Sequence, residues 1–328
     1  MAPSSATRSG LAIALVSAAS FGLAGSLAST LIAAGWTPGA VVLVRIGVSA
    51  VILAVPAFVL LRRTWRLNRR ATGYLAAYGV TAIAGAQLCF FSAVQYLPVG
   101  VALLLEYLAP VLLIGWRWWR TRQVPRTAVL VGAGVAMLGM VGVLDLLGPV
   151  TIHPLGVAYG LGAALCLCCY FVLSERQQGV PVPALAVAAG GMTVGALVIG
   201  AAGLTRLLPM RFVTTTVTLR GTPVAWWVPM GLLIVVACVA AYLTGIVAVR
   251  RLGSQKASFV ALTEVLFAVI AAVVLIGQAP SVTQLVGGVL VLAGVICVQR
   301  FGATPEALPT AAADPATRRS TVGSVVRR

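Results

Sequence analysis

The chain has 328 residues, of which 60% are hydrophobic and only 9% charged, with a mean hydropathy of +1.05. A soluble fold of this size needs many more charges to cover its surface, so the composition excludes one. The net charge of +17 would suit nucleic acid or an acidic partner, but almost all of it sits in short gaps between apolar runs, which excludes a basic binding face.

A bilayer-spanning helix needs about 20 mostly apolar residues. In chain order, ten such runs are predicted, at 9–31, 37–61, 72–95, 98–118, 125–147, 153–174, 181–204, 225–249, 254–276 and 281–300. The first follows Arg8 and is rich in Ala and Ser, as a signal peptide is. It is too long for a typical signal core, however, and it has a counterpart later in the chain. Residues 301–328 are rich in Ala, Thr, Pro and Arg and lack apolar periodicity, so a disordered, basic tail is expected there. The six cysteines, Cys89, Cys166, Cys168, Cys169, Cys238 and Cys297, all lie inside apolar runs. Cys166-x-x-Cys169 has no second thiol pair or nearby histidine, so the cysteines read as small apolar helix residues.

Basic residues set the orientation. With the N-terminus in the cytoplasm, the inner segments hold Arg8, the group Arg62, Arg63, Arg66, Arg69 and Arg70, the group Arg117, Arg120, Arg122 and Arg126, Arg176, the group Arg250, Arg251 and Lys256, and Arg300, Arg318, Arg319, Arg327 and Arg328. The outer loops hold only Arg206, Arg211 and Arg220. Both termini are therefore expected in the cytoplasm, in a plasma (inner) membrane.

The chain also repeats itself. A shift of 155 places Leu97 on Leu252, Gln123 on Gln278, Pro125 on Pro280, Leu130 on Leu285, Gly132 on Gly287 and Gly139 on Gly294, and Ala86-Gln87-Leu88 on Ala241-Tyr242-Leu243. For the first two helices of each half a shift of 145 is better, placing Ala18-Ala19 on Ala163-Ala164 and Pro38 on Pro183. The difference matches the longer connector 205–224 in the second half against 62–71 in the first. The halves are 9–147 and 153–300. Five spans begin and end on opposite sides, so the second copy must enter from the other face. The expected fold is an all-α integral membrane protein of ten transmembrane helices in two inverted five-helix repeats, a common plan for alternating-access carriers.

Several stretches carry a family resemblance. They are Leu97-Pro98-Val99-Gly100-Val101-Ala102 through Glu106-Tyr107-Leu108-Ala109-Pro110 in the first half, and Ala257-Ser258-Phe259-Val260-Ala261-Leu262-Thr263-Glu264-Val265, Leu275-Ile276-Gly277-Gln278 and Leu285-Val286-Gly287-Gly288 in the second. With the repeat they resemble the drug/metabolite transporter superfamily, specifically EamA-type members with two EamA domains, over about residues 10–300. The Glu106-Tyr107-x-x-Pro110 pattern is most similar to the threonine/homoserine exporter branch. That resemblance implies export of small amino acids or related metabolites, driven by a proton gradient. Many members have Glu-Pro where this chain has Glu264-Val265, and a glutamate where it has Gln278. The first is a departure from the helix-break pattern, and the second removes a charge.

Few ionisable groups lie deep in these runs. Glu106 and Glu264 sit near the middle of their spans, on roughly one face of equivalent helices and one turn apart. A carboxylate in hydrocarbon is costly, so such groups face a polar cavity or a partner, or serve as packing devices in neutral form. Arg45 either binds a carboxylate through its planar fork or snorkels to the outer interface. Gln87 and Tyr242 hold matched positions and offer polar groups to a shared cavity, and Tyr107 and Tyr170 are placed to line the same space. His153 and Asp145 lack the spacing of a metal site or hydrolase dyad. No P-loop, G-x-S-x-G or H-E-x-x-H is present. No catalytic residue, metal or cofactor is therefore expected. Gly156-x-x-x-Gly160 and Gly191-x-x-x-Gly195 suit close packing within a monomer or across a homodimer. The expected function is secondary export of amino acids or related polar metabolites, with no nucleic-acid partner. The alternatives are an importer of sugars, nucleosides or other metabolites on the same fold, a membrane-embedded enzyme, and a non-transporting receptor or channel.

Overall fold

The computed structural model describes residues 5–61, 68–94, 96–97, 99–144, 153–175, 182–277 and 280–301. Asp145, Gln278, Arg62, Arg63, Arg66 and Arg176 lie outside them, as does all of the expected tail 301–328 except Phe301. In hydrocarbon every backbone N–H and C=O must be bonded within the chain, and the apolar runs meet that demand as helices. They are α1 (Ser5–Ala33), α2 (Pro38–Leu61), α3 (Arg69–Ala77), α4 (Ala86–Val94), α5 (Val99–Glu106), α6 (Ala109–Thr121), α7 (Thr127–Val143), α8 (Pro154–Glu175) and α9 (Ala184–Leu204). After a small hairpin come α10 (Trp227–Ile234), α11 (Ala241–Leu252), α12 (Ser254–Ala261), α13 (Glu264–Ala271) and α14 (Val282–Phe301).

Among the described residues nine helical stretches are long and apolar enough to cross a membrane, and the shorter α7 is a 17-residue apolar helix. The chain is a mostly helical, multi-pass membrane protein. Its burial pattern agrees: Val51, Phe58, Leu138 and Leu197 are exposed large hydrophobics, whereas Ser17, Ser49, Ser174 and Thr263 are buried. Lipid tails solvate the former as well as a protein core would, so close approach between helices falls to small residues.

That approach is tightest between α7 and α14. A Cβ on Gly139 would lie 2.7 Å from the carbonyl of Gly287, and one on Gly294 would lie 2.5 Å from that of Gly132. The facing numbers rise on one helix as they fall on the other, so the two run antiparallel. Other close pairs behave alike. Gly162 meets Cys89 while Gly85 meets Cys166, which sets α8 against α4 and the turn before it. The Ser17 hydroxyl donates to the carbonyl of Ala241 (2.8 Å), between α1 and α11.

Two devices interrupt the helices, and both occur in each half. A π-helical turn, Tyr78–Gly85, joins α3 to α4, and Val235–Ala240 joins α10 to α11. The shift of 155 maps the second onto residues 80–85 of the first. A break at Tyr107–Leu108 separates α5 from α6, and one at Leu262–Thr263 separates α12 from α13, at the positions the same shift matches. In the first half Pro110 has no N–H for the carbonyl of Glu106. The second half has no proline there, and side-chain and backbone bonds do the work instead. The Thr263 hydroxyl donates back to Val260 O (2.7 Å), and Leu262, Thr263, Val265 and Leu266 all make tightened bonds to the third residue before them. The break thus survives the missing proline. A third π turn, Ala272–Ile276, ends α13.

The connector between α9 and α10 is folded. Strands β1 (Val217–Leu219) and β2 (Thr222–Val224) pair antiparallel with Val217 opposite Val224. Arg220 and Gly221 turn between them at φ 48° and 78°, the two positive values of a tight two-residue hairpin turn.

Candidate functional site

The helix breaks place the carboxylates. Glu106 is the last residue of α5 and Glu264 the first of α13, so each lies where a helix stops in the interior of a span. The two interact electrostatically. Under the shift of 155 a break stands between Glu106 and the position equivalent to Glu264. Tyr107, in the first break, interacts electrostatically with Glu264 and with Glu106. The two halves are thereby joined at their interruptions.

Arg45, on α2, is only 8% exposed. Its guanidinium is held in the interior and does not snorkel to an interface. It interacts electrostatically with Glu264, Tyr242 and Cys238, and its Nε has no hydrogen-bond partner among the described residues. Gln87 and Tyr242 come just after the two π turns, and their side chains are near enough to interact. A π turn inserts a residue and rotates the helix beyond it, which aims both groups inward. All six expected residues, Arg45, Gln87, Glu106, Tyr107, Tyr242 and Glu264, therefore belong to one interacting group. His153 stands apart at the start of α8, exposed and stacked on Tyr96 at 5.0 Å, and its Nδ1 accepts from the amide of Leu155 (3.3 Å).

The structure adds residues that single-residue reasoning missed. A file of rings runs from Tyr74 through Tyr78, Tyr170 and Tyr242 to Phe21, with successive centroids 6.4, 6.1, 6.0 and 5.0 Å apart. Tyr78 is fully buried with its hydroxyl 3.4 Å from that of Ser174, and Tyr74 donates to Leu173 O. The signal available in the sequence was Tyr74 and Tyr78 at a four-residue spacing inside an apolar run, which stacks them on one helix face. Cys89 and Cys166 are in side-chain hydrogen-bond contact across the halves, and Glu106 interacts with both.

A cavity of about 20 Å³ is lined by Gly39, Val42, Gln87, Leu88, Ile199 and Leu208, room for about one water. A larger groove of about 380 Å³ opens between α1 and α13, lined by Val16, Ser20, Phe267, Ile270 and Val274 among others. It is almost wholly apolar and holds none of the six residues. No group of three or more metal-ligating side chains occurs among the described residues.

The model of the EamA-like transporter family matches residues 8–145 and again 154–300. The chain belongs to the EamA-like transporter family. Membership makes it a membrane transporter of the drug/metabolite class with two EamA domains. A solved structure, titled only as the crystal structure of a protein, matches with a TM-score of 0.71 and 19% identity, covering 90% of this EamA-like chain and 99% of its own. At that identity the likeness speaks for the fold alone. A comparison with curated proteins returns no match.

Proposed function

We propose that this EamA-like chain is a secondary transporter that exports small amino acids or related polar metabolites, coupled to protons, by rocking two inverted halves about the Arg45–Glu106–Glu264 group. The observation that carries the reading is the convergence of one buried guanidinium and two carboxylates at helix breaks matched between the halves. An α-amino acid carries one cation and one anion. Arg45 fits its carboxylate through a planar, two-pronged set of donors with Nε still free, and Glu106 and Glu264 fit its ammonium or a coupling proton. Tyr107 orients Glu264, and Gln87 and Tyr242 supply neutral hydrogen-bonding groups. Broken helices are a usual way to bring backbone dipoles to a midplane site.

The inverted arrangement has its own support. Counting α7 as the fifth span gives ten. Under the shift of 155, Gly132 is equivalent to Gly287 and Gly139 to Gly294, yet Gly132 faces Gly294 and Gly139 faces Gly287. Equivalent residues exchange partners in this way across a two-fold axis, and helices that run antiparallel across it put that axis in the membrane plane. Topology follows the basic residues, with both termini cytoplasmic in the plasma membrane.

The test is reconstitution into proteoliposomes with a panel of amino acids and an imposed pH gradient. Accumulation that follows the gradient is expected, and flux indifferent to it refutes proton coupling. Glu106→Gln and Glu264→Gln are each expected to abolish coupled transport, and wild-type rates in both variants would remove the proposed site.

A further inference from the structure

The ten extra residues that distinguish the second half from the first lie in the connector between α9 and α10, and they are folded onto the site's neighbourhood. The connector residue Leu208 lines the 20 Å³ cavity that also holds Gln87. Met210 is wedged between two helix ends. A Cβ on Gly39, at the start of α2, would lie 3.4 Å from its Sδ and Cε, and one on Gly203, at the end of α9, would lie 2.7 Å from its Cε. A Cβ at Gly203 would force that methionine to shift, whereas one at Gly39 would meet it at ordinary contact distance. Arg211 then ties the connector to the α1–α2 turn twice: Thr37 N donates to Arg211 O (3.2 Å), and Arg211 N donates to Thr37 Oγ1 (2.9 Å). Phe212 meets the buried ring of Trp36 edge-on at 5.6 Å, with Trp226 at 5.6 Å beside it. Val217 on β1 is buried with Leu27, Leu31, Trp36 and Val41. The hairpin anchors the far end of the connector, while Leu208–Phe212 stretches across the gap between α2 and α9.

We infer that Leu208–Phe212 is the removable wall of the substrate cavity on the connector's side of the membrane, with Leu208 touching the cargo and Met210 the latch that holds the wall shut. This rests on the reading of the Gln87-containing group as the transport site. A cavity of about 20 Å³ is far too small for an amino acid, so something bordering it must leave before cargo passes on that side. The helices that border it are held along their lengths by their packing. The connector is held by the two bonds at Thr37, one bond from Leu208 N to Ala202 O, Met210 and the ring of Phe212, without the continuous backbone ladder of a helix, which makes it the least costly part to displace.

The test needs no substrate. In a chain whose six native cysteines are replaced, Gln87→Cys reports access to the cavity through labelling by a membrane-impermeant maleimide added from the connector's side. Thr37→Cys and Arg211→Cys, at backbone-paired positions, are oxidised to a disulfide before the label is added. Labelling is expected before oxidation, to fall at least about tenfold after it, and to return with reductant. Met210→Ala is expected to speed labelling of the unlocked chain by about tenfold, the equivalent of 1.4 kcal/mol. Labelling at one rate in locked and unlocked chains, or none in either, overturns the inference. The same comparison with the native cysteines kept, read by peptide mass at position 87, covers the case in which the cysteine-free chain does not fold. Because neither readout involves flux, a failed transport assay and a failed gate are told apart.

Discussion

Adding a methyl group at Gly294 probes the pseudo-two-fold contact most directly. Its Cβ would fall 2.5 Å from both the Gly132 carbonyl oxygen and the Ala136 nitrogen and 2.7 Å from Ala136 Cβ. Ordinary contact begins at 3.4 Å, so α7 and α14 must separate by nearly an ångström, and backbone atoms have no rotamer with which to yield. Overpacking of this kind costs about 1–3 kcal/mol. Gly134→Ala is the control, since nothing lies within 4 Å of its would-be Cβ, and reduced freedom of the unfolded chain favours it by about 0.4–1 kcal/mol. Gly294→Ala gains that same reduced freedom, so the two variants should differ by the overpacking cost alone, about 1–3 kcal/mol, or roughly 5- to 140-fold in the unfolding equilibrium. Titration from mild detergent into sodium dodecyl sulfate, monitored by circular dichroism, measures that difference. Gly139→Ala, exchanged for Gly294 by the proposed axis, should match Gly294→Ala in cost. Equal stability of Gly294→Ala and Gly134→Ala would refute the packing argument, and unequal costs at 139 and 294 would refute the symmetry.

Three further outcomes are expected. Arg45→Met should reduce amino-acid flux by at least about tenfold, while Arg45→Lys keeps a charge but loses the two-pronged fork and falls between; wild-type flux in Arg45→Met would exclude the arginine from binding. Thr263→Val removes the hydroxyl that bonds Val260 O at 2.7 Å, a loss of about 1 kcal/mol. It should straighten the α12–α13 junction, seen as slowed backbone hydrogen exchange at residues 262–266, and depress transport without unfolding the chain. A reporter fused to either terminus should read cytoplasmic, and one inserted between Arg220 and Gly221 should read external; the reverse for either would overturn the topology.

Much of this fold was legible in the sequence because a bilayer fixes span length and leaves few ways to satisfy the backbone. The apolar runs fall on helices, and the fifth of them, α7, reaches only 17 residues. Glu106, Glu264 and Arg45 stood out because charge inside an apolar run is expensive, and Glu264 interacts electrostatically with each of the other two. The interruptions were harder to read. Pro110 announced the first break, but its partner rests on a threonine hydroxyl and a run of shortened backbone bonds, neither of which has a composition signal. The π turns before Gln87 and Tyr242 are legible only in hindsight, since they reflect how neighbours pack and not which residues are present. The hairpin did carry a cue, Arg220-Gly221 between short β-branched runs, which the search for spanning helices passed over.

What is duplicated in this chain is backbone geometry. Both halves carry a π turn in the third span, a break in the fourth and glycines at the fifth-span contact. The charges are single. The shift of 155 puts Glu106 opposite Ala261 and Glu264 opposite Ala109, and the shift of 145 puts Arg45 opposite Gly190. Among the six site residues Gln87 and Tyr242 form the one matched polar pair, and even they differ in kind. Alternating access asks that the scaffold look the same from either side, so bends and close contacts are needed twice. Binding one asymmetric cargo asks the opposite, because two copies of Arg45 would offer two competing orientations to a single carboxylate. Duplication with charge then lost from one copy gives both properties at once. It also places the proposed cargo off the axis, with its anionic end toward α2 and its cationic end toward the breaks that close α5 and open α13.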